Sequence, residues 1–366
     1  MSHLHKQMDF LPLTATKWEA VCDLLKKPSS RLEFLWNFTL YHDRWRELDG
    51  RDFSALSGPV PTDSLGADGL TALWTERPEQ AENTGEVLGE TEGVKYLERI
   101  LDLCEERSIR AVLAFMPSAE SHAKEWASVN TAQNLAEKRQ IPFINLLPHD
   151  QQVIDYRTDM ADGSHVNAAG MAKLSRYVGG VLLENFALPD RRGASGYEWW
   201  GEAHARWKQE KREELYAESD LYLILSGLSH TDASAVVLVR AETPALSDKT
   251  LQALIENMTR TEGFAQAVQA GGPYLLWRDT AATGTGEAVN YEFPGEVSPD
   301  PFLTMRGMAE YRGAKNYCFL GDEGDPETNL LDMEAHYYDP VQVILMDPDG
   351  TIRVRRFFGT KWTERP

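Results

Sequence analysis

The sequence is poor in cysteine and in cations, and it has no long apolar run. Its three cysteines, Cys22, Cys104 and Cys318, stand far apart, and no Cys-x-x-Cys pair is present. That pattern argues against a disulfide framework and against a zinc knuckle. Lys and Arg number 37 against 57 Asp and Glu, a formal net charge of -20. Such a chain repels nucleic-acid phosphates, so no nucleic-acid partner is expected. No apolar stretch reaches the ~20 residues needed to cross a bilayer. Residues 1–10 lack the hydrophobic centre of a signal peptide. The expectation is a chain with neither export signal nor membrane anchor as written. What remains is the ordinary stock of a globular protein, and 366 residues suffice for two domains with a real core.

The chain changes character several times. Residues 31–53 crowd Trp36, Phe38, Tyr41, His42, Arg44, Trp45 and Phe53 into a short span. Residues 57–92 are rich in Gly, Pro, Thr and Glu and read as a long excursion. A helical spacing then appears in Val94, Leu97, Ile100, Leu101 and Cys104. The short apolar run 111–115, closed by Met116-Pro117, predicts a buried strand. A helix is expected over 121–138, a second strand over 143–147, and a helix from Ala168 with Met171, Leu174, Val178, Val181 and Leu182 on one face. Strand, helix, strand, loop and helix is the grammar of a parallel sheet with right-handed crossovers.

Beyond Pro189 the pattern differs. A polar helix is expected over 198–218, strands over 221–225, 235–240 and 274–277, and a helix over 248–258 with Leu251, Leu254, Ile255 and Met258 on one side. Residues 341–346 and 351–357 flank Asp347-Pro348-Asp349-Gly350, which predicts a hairpin. The domain reading is 1–192, a linker helix at 193–219, and a small α/β domain at 220–366. The fold class expected is α/β: a partial flavodoxin-like parallel sheet followed by that second domain.

The strongest chemical signal is Asp162-Gly163-Ser164-His165, which follows the second strand after a short excursion through Pro148–Tyr156 and stands just before a helix. A carboxylate on one imidazole nitrogen fixes the tautomer and steadies the imidazolium that forms when the other nitrogen takes a proton. Parallel sheets place their sites beyond the carboxyl ends of the strands, which is where this loop falls. Asn167 stands where it can cap the following helix. A second constellation is His42, Arg44 and Trp45. Arg44 can grip a carboxylate or phosphate and the aromatics can stack on a sugar ring, or the segment packs internally. The His/Asp-rich stretch of His149, Asp150, Asp159, Asp162 and His165 offers no defined ligand set on regular elements, so neither a metal nor a cofactor is expected.

Residues 158–173, Thr-Asp-Met-Ala-Asp-Gly-Ser-His-Val-Asn-Ala-Ala-Gly-Met-Ala-Lys, resemble the last motif of the SGNH/GDSL hydrolase superfamily, which reads Asp-x-x-His-Leu-Asn, a small residue, Gly and a helix. More narrowly, the chain resembles bacterial cell-surface SGNH-like proteins of the teichoic-acid D-alanylation and alginate acetylation type. These carry a segment like Tyr41-His42-Asp43-Arg44-Trp45-Arg46-Glu47-Leu48. The likeness covers roughly residues 1–192 and implies an SGNH-type fold with His165 as base and Asp162 as its orienting acid. It marks the 41–48 segment as a recurrent motif; substrate contacts from His42, Arg44 and Trp45 are expected from their chemistry alone. It also implies an acyl ester or cell-surface glycan as substrate and an extracytoplasmic place for the full-length parent.

The family's nucleophile is a Ser in a Gly-Asp-Ser or Gly-Ser-Ser turn after its first strand. Residues 1–60 show no strand followed by Gly-x-Ser. Ser118 falls at a different turn, and Ser164 lies inside the loop itself. The resemblance therefore implies a chain that begins after the first strands of its domain, an esterase or acyltransferase of weak or no activity. The alternative is a non-catalytic surface-binding protein built on the same remnant, with the C-terminal domain presenting a protein-binding face.

Overall fold

In the computed structural model the described residues are 14–25, 27–28, 31, 34, 69–76, 78–150, 152–240, 243–280, 284–289 and 340–359. The structure is mixed α/β. Among the described residues are eight α-helices, two small parallel strand pairs and one five-stranded antiparallel sheet. Contacts group the chain into two units whose segments interleave. One holds the described residues within Met1–Thr62, Gly85–Leu113 and Trp126–Phe143; the other holds those within Asp63–Thr84, Ala114–Glu125 and Ile144–Pro366.

In the first unit, α1 (Ala15–Leu24) starts at Thr14, whose hydroxyl accepts the Lys17 amide. Val21 and Phe34 form a small buried cluster. Helix α2 (Glu92–Glu106) begins in the same way, with Thr91 accepting the Val94 amide. Tyr96 on α2 donates to Asp23 at 2.9 Å. Helix α3 (Ala123–Arg139) ends with Arg139 paired to Asp102 at 2.6 Å. The Leu88 amide donates to Thr131 Oγ1 on α3, tying down part of the excursion that precedes α2.

The second unit is built on the antiparallel sheet. Its strands are β5 (Ser234–Val239), β6 (Tyr274–Asp279), β7 (Gly284–Val289), β8 (Val341–Met346) and β9 (Ile352–Phe358), in the order β7-β6-β5-β8-β9. Alternate residues Ala235, Val237 and Val239 share one core with Val341, Val343, Leu345 and Tyr274, as a period of two requires. That core also takes Leu221, Ile224, Leu225 and Leu228 of α6 (Leu221–Leu228), Leu251, Leu254 and Ile255 of α7 (Lys249–Thr259), and Phe264 and Ala267 of α8 (Gly263–Ala270). Each fully buried large side chain contributes about 1.5–3 kcal/mol, so this layer dominates the unit's stability. Phe264 meets Tyr274 edge to face, with centroids 5.0 Å apart. Val236, Leu238, Trp277 and Ile344, on the other face of the sheet, are buried too.

Residues 221–225, expected as a strand, are helical. The reason is local: the Asp220 carboxylate accepts the amides of Tyr222 and Leu223 and so nucleates α6. A short all-apolar run does not separate strand from helix, and here the cap decides. The predicted hairpin between β8 and β9 is present. Gly350 takes φ +85°, the left-handed position, and its amide donates to Asp347 O at 2.8 Å. Helix α5 (Glu198–Ala217) matches the expected polar helix. No described helix is long and apolar enough to cross a membrane.

Candidate acid–base site

Strands β2 (Leu113–Phe115) and β4 (Phe143–Asn145) lie side by side. The Leu113 amide donates to Pro142 O and the Leu146 amide to Phe115 O, at 3.0 and 2.9 Å. Partners advance in the same direction along both strands, so the pair is parallel. The segments leaving their carboxyl ends meet. The Glu120 amide donates to Gly163 O at 3.0 Å, and Ser118 Oγ lies 2.5 Å from Glu120 O and 3.0 Å from Gly163 O. Residues Glu120–Ser121 (β3) also pair in parallel with Glu79–Gln80 (β1). The preceding segment reaches the same place: Trp74 donates to Met160 O at 2.8 Å, and the Ala168 amide to Leu70 O at 2.9 Å.

The loop is pinched at its neck by a bridge between Met160 and Val166. Ala161 donates to His165 O across it at 2.8 Å. Inside, the Asp162 carboxylate accepts the amides of Ser164 and His165, both at 2.8 Å. It also faces His165 Nδ1 at 3.0 and 2.9 Å through its two oxygens. A carboxylate only accepts here, so Nδ1 carries the hydrogen and Nε2 presents its lone pair. Among the described residues no group hydrogen-bonds to Nε2. The pair sits at the surface, with the His165 and Asp162 side chains 66% and 54% exposed. Water weakens the attraction between them, so the backbone amides, rather than the charge pair, hold the geometry.

The Ser164 amide, helped by the ring and amide of His165, holds the Asp162 carboxyl down to about 2. A depressed carboxyl contributes stability that is fully present above its ordinary value of 3.8 and is lost as pH falls through about 2. A carbon-13 titration of Asp162 is therefore expected to show a midpoint near 2. A midpoint at the ordinary carboxylate value would mean that the loop does not grip it.

Asn167 is buried and caps α4 (Ala168–Asn185), its Oδ1 accepting the Gly170 amide at 3.0 Å. Its Nδ2 donates to Thr158 O at 2.8 Å. Gly170 is required by close approach: a Cβ there would lie 2.4 Å from Asp159 O.

Among the described residues, neither Ser118 nor Ser164 is placed to attack. Ser118 spends its hydroxyl on backbone carbonyls. Ser164 Oγ lies 3.2 Å from Nδ1, the nitrogen already taken by Asp162. His149 is a second oriented imidazole: its Nε2 is 2.9 Å from Ser118 O and its ring packs on Tyr156 at 4.1 Å. It lines a cleft of about 530 Å³ with Tyr156, Arg157, Lys173, Asn257 and Arg260. A smaller cavity of about 150 Å³ lies among Ala168, Lys211, Glu214 and His230. Neither is lined by Asp162 or His165. Among the described residues no three His, Cys, Asp or Glu side chains converge as metal ligands. His42, Arg44 and Trp45 lie outside the described residues.

The residues that sequence reading passed over are Lys173 and Asn257, which hold the loop through Asp159. Lys173 stands 14 residues from Asp159 and Asn257 stands 98 away, and no local spacing links them. No protein-family model, curated protein or solved structure matches this chain.

Proposed function

We propose that this chain carries the acid–base half of an SGNH-type esterase or acyltransferase site, acting on acylated cell-surface glycans and weakly active on its own. The observation that carries the reading is Asp162 on Nδ1 of His165 at 2.9 Å, in a side chain that is mostly exposed. In this reading the β2–β4 pair belongs to a flavodoxin-like sheet, the loop lies at its catalytic edge, and the parent protein works at the cell envelope. The sequence of residues 158–173 supports the family assignment.

The chemistry follows from the geometry. His165 Nε2 takes the proton as a water or acceptor hydroxyl adds to the ester carbonyl, Asp162 holds the imidazolium in place, and Nε2 returns the proton to the alkoxide that leaves as the acyl C–O bond breaks. With Ser118 and Ser164 turned to other partners, the attacking oxygen in the described site is water or an acceptor hydroxyl. The experiment is hydrolysis of 4-nitrophenyl acetate by the full chain and by His165→Ala. Slow turnover that falls about 100-fold in the variant is expected, without serine labelling by a fluorophosphonate. Turnover indifferent to His165 would sink the proposal, and a labelled serine would show that the chain supplies its own nucleophile.

One observation favours a second reading, a non-catalytic glycan-binding protein. Trp199 and Trp200 are about half exposed, with ring centroids 4.9 Å apart, and Tyr197 lies beside them under Arg191. Exposed aromatic faces suit stacking on sugar rings. Binding of a polysaccharide that persists in His165→Ala and disappears in Trp199→Ala/Trp200→Ala would favour it. A partner protein at the C-terminal half belongs to the same reading.

A further inference from the structure

The loop that carries Asp162 and His165 hangs from a carboxylate with no exposed surface, Asp159. Its Oδ2 accepts Lys173 Nζ at 2.6 Å and the Asp155 amide at 2.7 Å. Its Oδ1 accepts Asn257 Nδ2 at 3.0 Å and lies 3.3 Å from the Thr158 hydroxyl. Asn257, on α7, spends its whole amide here. Its Oδ1 takes Lys173 Nζ at 2.6 Å, and its Nδ2 also reaches Thr158 Oγ1 at 2.5 Å. Lysine only donates, so the Asn257 amide has one satisfactory orientation.

The main chain passes this constraint on. The Asp159 amide donates to Asp155 O and its carbonyl accepts the Asn167 amide, at 2.8 and 2.9 Å. Met160, the next residue, forms one side of the loop neck, and Asn167 caps the helix on the other. Asp162 and His165 lie between those two anchors.

We infer that Asn257 and Lys173 are positioning residues for the Asp162–His165 pair, acting through Asp159, and that α7 is an integral part of the acid–base site. Burial of a charge so fully partnered is costly to keep and specific in geometry. A clamp made of one carboxylate, one ammonium and one amide leaves Asp159 a single arrangement, and the loop neck starts at the residue after it. The catalytic meaning of that positioning rests on the functional reading above; the positioning itself does not.

The test uses the full chain and Asn257→Ala and Asn257→Asp, with long-range proton–nitrogen correlation of the histidine rings. In the wild type, neutral His165 is expected with its hydrogen on Nδ1. Both variants are expected to lose that single tautomer. The rate of His165 acylation by diethyl pyrocarbonate should change at least threefold, while exposed His204 is unaffected. Asn257→Asp keeps the volume and the acceptor for Lys173 and removes the donors to Asp159 and Thr158. If it behaves as the wild type, or if both variants leave the His165 signals and reactivity unchanged, the inference is overturned. Should Asn257→Ala lose its cooperative unfolding, Thr158→Val carries the same test, because it deletes the hydroxyl that Asn257 grips and leaves α7 intact. In ester hydrolysis the positioning role predicts about a tenfold fall in kcat with KM unchanged, as expected when reacting groups are misplaced rather than binding lost. A wild type without any hydrolysis would fail the functional reading alone, since the imidazole signals still decide this one.

Discussion

Gly170→Ala is expected to destabilise the protein by about 3 kcal/mol, the upper end of the range for forcing a methyl into packed space. The new Cβ would lie 2.4 Å from the carbonyl oxygen of Asp159 and about as close as contact permits to Val166 Cβ, at 3.0 Å. Neither neighbour can yield cheaply. The Asp159 carbonyl is engaged by the Asn167 amide at 2.9 Å, and Val166 forms the loop neck with Met160. Helix α4 therefore has to back away from the loop, and the cap at Asn167 is strained with it. The same helix supplies its own control. Gly179 has nothing within 4 Å of where its Cβ would stand, so Gly179→Ala gains helix propensity worth up to ~1 kcal/mol. Urea denaturation of the two variants is expected to move in opposite directions. Equal shifts would show that the close approach at Gly170 is not what limits that position.

The second large effect is expected at Lys173. Lys173→Met leaves the Asp159 carboxylate buried without a counter-charge, and breaking such a pair from one side costs about 3–5 kcal/mol. The loss comes from the stranded charge more than from the missing ion pair. Converting both members, Asp159→Asn with Lys173→Met, should recover at least half of it, because the amide still accepts from the Asp155 backbone and no charge remains. Denaturant midpoints of the wild type, the single variant and the double variant decide the matter. A double variant no more stable than Lys173→Met alone would refute the account.

The elements that sequence reading places well are those whose pattern is local and whose ends are capped. The helical spacing of Val94 to Cys104 is realised from Glu92 to Glu106 behind Thr91, and the hairpin at 347–350 follows from Pro and Gly in a four-residue turn. The strand expected as buried over 111–115 is shorter, Leu113–Phe115, and none of its three residues is fully buried. Residues 221–228 defeat periodicity because all but two are apolar, and only the Asp220 carboxylate distinguishes helix from strand. Helix α8 and strand β7 are mostly Gly, Ala and polar residues, with Phe264, Val268 and Val289 their only larger apolar residues, and tertiary pairing rather than propensity forms them. In the candidate site, Asp162 and His165 are legible because they stand three positions apart. Asp159, Lys173 and Asn257 are illegible for the opposite reason: their meeting is a product of the folded chain, and nothing in the 98 positions from Asp159 to Asn257 announces it.

That separation has a consequence for the order of events in a growing chain. Synthesis delivers Asp162 and His165 before α7 exists, and contacts this distant in sequence close late, since loop-closure entropy has to be offset first. A nascent chain halted before residue 257 holds both residues of the pair without the clamp that fixes their loop. The pair's own contacts, all within residues 162–165, are complete before that point, and the second half adds the outer anchor at Asp159 last.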